Sequence, residues 1–236
     1  DVLCLQETRV LADELPAEIR QPEGYHGYWN PAVRRGYSGT ALFSTIPAQS
    51  VEPMGIPEFD EEGRVQVAAF EAFTLINGYW PNSQDERRRI DYKVRFCEAT
   101  GDLADRIRNS GRHVILTGDF NIAHQPIDLA RPKENENSAG YYIEEREAMT
   151  RFLARGYVDT FRRLHPDRVE YSWWSYRGGA RARNVGWRID YVCVDEALMP
   201  RVKRAWICGE VPGSDHCPVA IELDLALKAG KKEIRP

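Results

Sequence analysis

Apolar positions along the chain follow two periods, and the switch between them marks out the elements. Residues 64–70 alternate, with Val65, Val67 and Ala69 on one side, and residues 73–79 follow after a tight connection, which predicts a β-hairpin. Residues 90–110 space Tyr92, Val94, Phe96, Leu103 and Ile107 as a helix does, and the pattern stops at Gly111. Further strands are expected at 1–7, 25–30, 38–44, 113–119, 171–176, 189–194, 205–208 and 219–225. Shorter helices are expected at 13–20 and at 144–154, the second stopped by Gly156. Residues 47–62 are rich in turn formers, 81–88 read as a polar loop, and 131–142 form a long loop of the kind that often carries function. Many strands and few helices, without regular alternation, predict a layered α/β sandwich rather than a doubly wound sheet. No repeat, low-complexity segment or linker interrupts the chain. One domain over 1–227 followed by a basic tail at 228–236 is the expected organisation.

The stretch HVILTGDFNIAH, residues 113–124, organises the rest. Val114, Ile115 and Leu116 read as a buried strand, and Gly118-Asp119-Phe120-Asn121 closes it. In an extended chain Asp119 and Asn121 fall on one side and Phe120 on the other, in packing. Two readings fit this motif alone: a reaction centre at a strand end, or an Asx-type turn closing a strand.

Similar polar residues recur at other strand ends. They are Glu7, Tyr79 just before Pro81-Asn82, Asp190, and Asp215-His216 just before the last strand. If these ends converge, they make a pocket of carboxylates, an amide, a phenol and one imidazole. Carboxylates without a Cys or His cluster suit a hard cation, Mg²⁺ or Mn²⁺, rather than zinc. Such a cation neutralises a phosphoryl oxygen and stabilises a leaving oxyanion. An Asp can take a proton from water, and a His held charged by an Asp can hydrogen-bond the same phosphate. The set fits a phosphodiester or phosphomonoester hydrolase with water as nucleophile. Taken singly, each residue has a plainer reading. Glu7 could form a salt bridge, Tyr79 be a half-buried aromatic, Asp190 pair with Arg188, and His216 be a satisfied core histidine.

The composition changes this picture little. A chain of 236 residues is long enough for a sizeable core. No apolar run approaches the roughly 20 residues of a membrane span. Five cysteines, without a CxxC pair, read as buried free thiols in a reducing compartment, so a cytoplasmic location is expected. The net charge of −4 gives no global attraction for nucleic acid, although basic residues cluster at 87–89, 177–188 and 201–204. The chain opens on Val2-Leu3-Cys4-Leu5 with no initiator Met or signal peptide. A domain starting inside a buried strand is expected to lack a preceding N-terminal strand.

Five collinear motifs then carry a resemblance. LQET at 5–8, NGYWPN at 77–82, GDFNIAH at 118–124, ARNVGWRIDY at 182–191 and GSDHCPV at 213–219 resemble the exonuclease III family of apurinic/apyrimidinic endonucleases. LARPKEN at 129–135 adds a sixth. GDFN and SDH are shared with the wider endonuclease/exonuclease/phosphatase superfamily, whereas GWRIDY and LARPKEN resemble its DNA-repair branch.

The resemblance implies a DNase I-like, four-layered α/β sandwich, two packed mixed sheets flanked by helices, with the site at one edge. It implies that Glu7 binds the metal and Tyr79 hydrogen-bonds the scissile phosphate. Asp119, helped by Asn121, orients and deprotonates water. Asp190 keeps His216 charged, and Asp215 supports His216 or a second metal position. It also implies DNA contacts from Arg9, Asn82, Asn135 and Arg177, with Trp173 and Trp187 lining a pocket for an abasic sugar. Trp174 reads better as a core anchor. The family's opening pattern, like WNVNG with an Asn near the metal, has no match here.

The expected activity is Mg²⁺-dependent cleavage 5′ to abasic sites in duplex DNA by a monomer. It leaves a 3′-hydroxyl and a 5′-deoxyribose phosphate, with 3′ exonuclease or phosphodiesterase activity on blocked 3′ ends beside it. The alternatives are a superfamily phosphatase on a small phosphoester and a catalytically silent DNA-binding module.

Overall fold

The computed structural model describes residues 1–225, so the expected basic tail at 228–236 lies outside the described residues. The first half contains β1 (Val2–Gln6), α1 (Ala17–Arg20), β2 (His26–Asn30), β3 (Thr40–Ser44), β4 (Ser50–Glu52), α2 (Pro57–Asp60), β5 (Val65–Ala69) and β6 (Phe73–Tyr79). There follow α3 (Ile90–Asn109), β7 (His113–Asp119), α4 (Ile143–Ala154), β8 (Tyr157–Asp159), α5 (Thr160–Leu164), β9 (Asp190–Asp195), β10 (Val202–Ile207) and β11 (Val219–Leu223).

A six-stranded sheet in the order β4-β5-β6-β7-β9-β8 is the spine. Only β6 and β7 run parallel; the other neighbours are antiparallel. Its central strands are covered on both faces, so FTLINGY and HVILTGD are apolar runs rather than alternating ones. On one face lie α3 and α4. The helical spacing of α3 turns Phe96, Cys97, Leu103 and Ala104 inward. They join Leu116, Phe120, Met149 and Phe152 in the larger core cluster. Phe120 points into this layer, stacked on Trp80 with ring centroids 3.7 Å apart. On the other face Leu42, Leu75, Ile115, Val192 and Val194 form a second core.

The layered sandwich is as expected, but the second sheet comes in two pieces, β1-β3-β2 and β10-β11. Strand β1 is not a buried core strand. Val2 and Cys4 pack against the second core, but Leu3 and Leu5 on the opposite face are 49% and 36% exposed. A cleft of about 830 Å³ separates β1 from β11 and is also lined by Leu75, Ile115 and Val192. Outside the small sheets lies α1, which buries no residue and whose Arg20 carbonyl accepts from the Trp29 indole at 3.0 Å.

Three other expectations change. Residues 171–176 do not form a strand: Trp173 makes single bridges to Trp187 and His216. The helix expected at 13–20 is a 3₁₀ turn, Ala12–Glu14, followed by the single turn of α1. Both β8 and α5 were unexpected, since elements of three and five residues are too short to show a period. Asp159 nonetheless caps α5, its carboxylate accepting from the Arg162 backbone N–H at 3.1 Å.

Candidate active site

The sheet register builds the centre of the site. Tyr79, the last residue of β6, is level with Asp119, the last of β7, and Asp119 is level with Asp190, the first of β9. Three polar side chains therefore stand in one row where the central strands end. The strands approach closely at Gly78 and Gly118. A Cβ on Gly118, at φ +141°, would lie 1.8 Å from the Gly78 carbonyl oxygen. The row opens on a cleft of about 450 Å³ whose walls also include Glu7, Arg9, Asn82, Asn121, Trp173, Trp187, Asp215 and His216.

Just past β7 the backbone turns through a left-handed Asn121, φ +52°. That turn lets Asn121 grip Asp119 twice, by its backbone N–H at 2.7 Å and its side-chain amide at 2.8 Å. The same amide donates to the Trp80 carbonyl at 3.1 Å, and Asn82 donates to the Asn121 side-chain oxygen at 3.3 Å. The strand thus closes in an Asx-type turn, and that turn faces the cleft.

His216 Nδ1 lies 2.9 Å and 3.2 Å from the two carboxylate oxygens of Asp190. Burial opposes charge on this imidazole, but Asp190, then Asp119 and Asp215, outweigh it and push its pKa up to about 10. Asp119 is pushed up to about 7 by burial and then by the charge of Asp190, against the opposing pull of His216, the Asn121 N–H and Lys93. Burial, with Asp119 and Glu7 nearby, raises Tyr79 well above the ordinary phenol. At neutral pH the row thus offers a neutral phenol, a carboxyl poised between its two forms, and an imidazolium.

Of the other expected residues, Glu7 sits immediately after β1 with φ +57° and accepts a hydrogen bond from Arg9. Asp215 accepts from the Trp173 indole at 3.0 Å. Trp173 and Trp187 meet edge to face, 6.2 Å between centroids, and form one wall of the cleft. Trp174 is a core anchor, 6% exposed, under the Arg181 guanidinium. Asn135 does not line the cleft; its amide ties the Ala130 and Arg131 carbonyls of its own loop. Arg177 lies on an exposed 3₁₀ turn, Arg177–Gly179, outside the cleft.

Several arginines of the basic clusters are engaged within the protein, although most members stay at the surface. Arg188 is 1% exposed and pairs with Asp128 and Asp159, at 2.8 and 2.7 Å, rather than with Asp190. Arg181 donates to the carbonyls of Gly209, Val211 and Ser214, bracing the loop that carries Asp215 and His216. Arg87, Arg88 and Arg89 each face a glutamate. Unexpected in the cleft are Tyr37, Arg64 and Arg89. The Tyr37 hydroxyl accepts from both guanidiniums, at 3.0 and 2.8 Å, and Arg64 lies over the Tyr79 ring. No motif singles out Tyr37 or Arg64 in the sequence, and Arg89 stands out there only as a member of the basic cluster at 87–89.

Asp119, Asp190 and His216 bring one donor atom each within 4.8 Å of one another. A charged His216, its Nδ1 engaged by Asp190, is a poor cation ligand, so the chemistry of this trio suits proton handling better than metal binding. The oxygens that could hold a cation belong to Glu7 and Asp215, which share the cleft and both act on the charge of Arg9. An all-oxygen donor set fits a hard divalent ion.

The sequence model of the Endonuclease/Exonuclease/phosphatase family matches residues 1–216. Over 227 residues the chain is 48% identical to an exodeoxyribonuclease of Bacillus subtilis, spanning 95% of this chain and 88% of that protein. The structure of an AP endonuclease from Archaeoglobus fulgidus superposes with a TM-score of 0.84 at 27% identity, covering 95% of this chain and 89% of that one. A 3′ phosphatase from Neisseria, bound to product DNA hairpin, superposes with a TM-score of 0.84 at 29% identity and the same coverage, 95% and 89%.

Proposed function

The chain belongs to the endonuclease/exonuclease/phosphatase family and is a hydrolytic nuclease; on that premise we propose that it repairs DNA by cutting the phosphodiester 5′ to abasic sites in duplex DNA. The observation that carries this reading is the row Tyr79–Asp119–Asp190, with His216 charged behind it, facing a wall of two tryptophans. Water attacks phosphorus as Asp119 takes its proton. A carboxyl with a pKa near the working pH suits a general base. His216 and the neutral Tyr79 hydroxyl donate to the phosphate oxygens as charge builds on them. The P–O3′ bond breaks, and the departing O3′ takes a proton from solvent, leaving a 3′-hydroxyl upstream and a 5′-deoxyribose phosphate downstream. Glu7 and Asp215 would hold a hard divalent ion such as Mg²⁺, which would supply positive charge to neutralise the phosphate and the departing oxyanion.

Trp173 and Trp187 wall the pocket for the extrahelical sugar. A site without a base has no base to unstack, whereas an intact nucleotide costs a few kcal/mol to extrude. Arg9, Asn82 and, on its projecting turn, Arg177 contact the DNA backbone and groove. Asn135 acts indirectly by shaping the loop that brings Ala139 and Gly140 to the cleft. The likeness to the exodeoxyribonuclease and the 3′ phosphatase supports a second activity of the same centre on blocked 3′ ends.

The test is a labelled duplex with one abasic-site analogue, incubated with Mg²⁺ and the ends mapped. Cleavage on the 5′ side leaving a 3′-hydroxyl, and its loss in EDTA, is the expected result. Activity that survives chelation would remove the metal from Glu7 and Asp215. Cleavage only of small phosphoesters would replace DNA repair with the phosphatase alternative.

A further inference from the structure

Behind the catalytic loop lies a fully buried ion pair that does not line the cleft. Lys93, in the first turn of α3, and Glu145, in α4, both have side chains that are 0% exposed, with Nζ 2.7 Å from Oε1. The same ammonium donates to the backbone carbonyl of Asn121 at 2.5 Å. Glu145 is fixed from its other side, its second oxygen accepting from the Tyr142 N–H at 2.9 Å. One rigid chain of contacts therefore runs from α4 through Glu145 and Lys93 to Asn121, and from the N–H and amide of Asn121 to Asp119.

We propose that Lys93 is a positioning residue for the hydrolytic step: by holding the Asn121 carbonyl from behind, it fixes the left-handed turn that aims Asp119 at the attacking water. This deepens the nuclease reading and rests on it. Two physical arguments favour it. A non-glycine residue in the left-handed region persists only where its surroundings over-determine it. At Asn121 that determination comes from three sides: Asp119, Trp80 and Lys93. Second, a fully buried ion pair is weak evidence for stability, since an apolar pair of similar volume often serves as well or better. What an apolar pair cannot supply is a donor to the Asn121 carbonyl.

The test separates positioning from stability. Lys93→Met alone would strand the Glu145 carboxylate, so the informative variant is the double replacement Lys93→Met/Glu145→Leu, with Glu145→Gln as control. The control keeps the Lys93–Asn121 bond. The double variant frees the Asn121 carbonyl and the Tyr142 N–H, so it is expected to melt several degrees below the parent yet stay folded at 25 °C. It is expected to keep its KM for the abasic duplex, while kcat falls about 10–100-fold, as small misplacements of reacting groups do. Glu145→Gln is expected to keep kcat within a few fold.

Amide hydrogen exchange gives a readout independent of turnover. Protection of the Asn121 N–H is expected to drop in the double variant while that of Leu116 in β7 stays. Unchanged kcat together with unchanged Asn121 protection overturns the proposal. If the parent protein does not cut DNA at all, the nuclease reading fails, and exchange at Asn121 alone decides whether Lys93 holds the turn.

Discussion

Asp119 is buried, level with a second carboxylate, and held up to about 7. His216, against the same Asp190, is held up to about 10. The rate should therefore rise as pH passes about 7 and Asp119 loses its proton, then fall toward about 10 as His216 loses its own. Asp190 raises both groups, so Asp190→Asn is expected to move both limbs of the kcat/KM–pH profile to lower pH. Limbs that stay in place would separate Asp190 from the reaction. Stability gives the opposite sign at Asp119. Its folded pKa lies above the ordinary 3.8, so protonation favours the fold, and that contribution is lost as pH rises through about 7. At pH 8, Asp119→Asn should raise the melting temperature by about 2–4 °C, corresponding to roughly 1 kcal/mol, while it stops turnover. His216 runs the same way over a higher window, since its folded pKa also lies above its ordinary value of 6.5. Its stabilising contribution is full below 6.5 and disappears as pH rises through about 10.

Elements place these residues by register. The row exists because β6, β7 and β9 end level, and the two facing glycines let β6 and β7 close up there. Gly118→Ala is expected to cost several kcal/mol and to be seen as a large drop in denaturant midpoint, because its Cβ would meet backbone rather than a movable side chain. Behind β9, Arg188 pairs with Asp128 and Asp159. Arg188→Met should destabilise by about 3–5 kcal/mol, since it leaves the buried Asp159 without its guanidinium and Asp128 with Arg162 alone. Much of this scale was legible in the sequence. The central strands and α3 announce themselves because apolar runs and a 3.6-residue period survive over seven to twenty residues. Strand β8, helix α5 and the bridge at Trp173 did not, because their pairing comes from distant partners such as Trp187 and His216 rather than from local pattern.

At the scale of the whole molecule, charge decides how DNA is met. The net charge is −4 and many arginines face carboxylates or carbonyls, so long-range attraction is weak. On the proposed reading, binding then depends on short-range contacts from exposed groups such as Arg177. Arg177→Ala is expected to weaken DNA binding about equally across sequences and to lower the salt dependence by about one phosphate contact. An unchanged salt slope would place that turn away from the DNA. The sequence made the reacting groups visible because they sit in short motifs at strand ends. It hid the supporting ones: Lys93 reads as a helix residue, Arg64 as a strand start, and Tyr37 as part of a loop. The most direct test of the account is incision of the abasic duplex at saturating DNA by the parent chain and by Asp119→Asn. With Asp119 as the general base, turnover of the variant falls about 10²–10⁴-fold while DNA affinity is kept; a variant that cuts within a few fold of the parent would rule that role out.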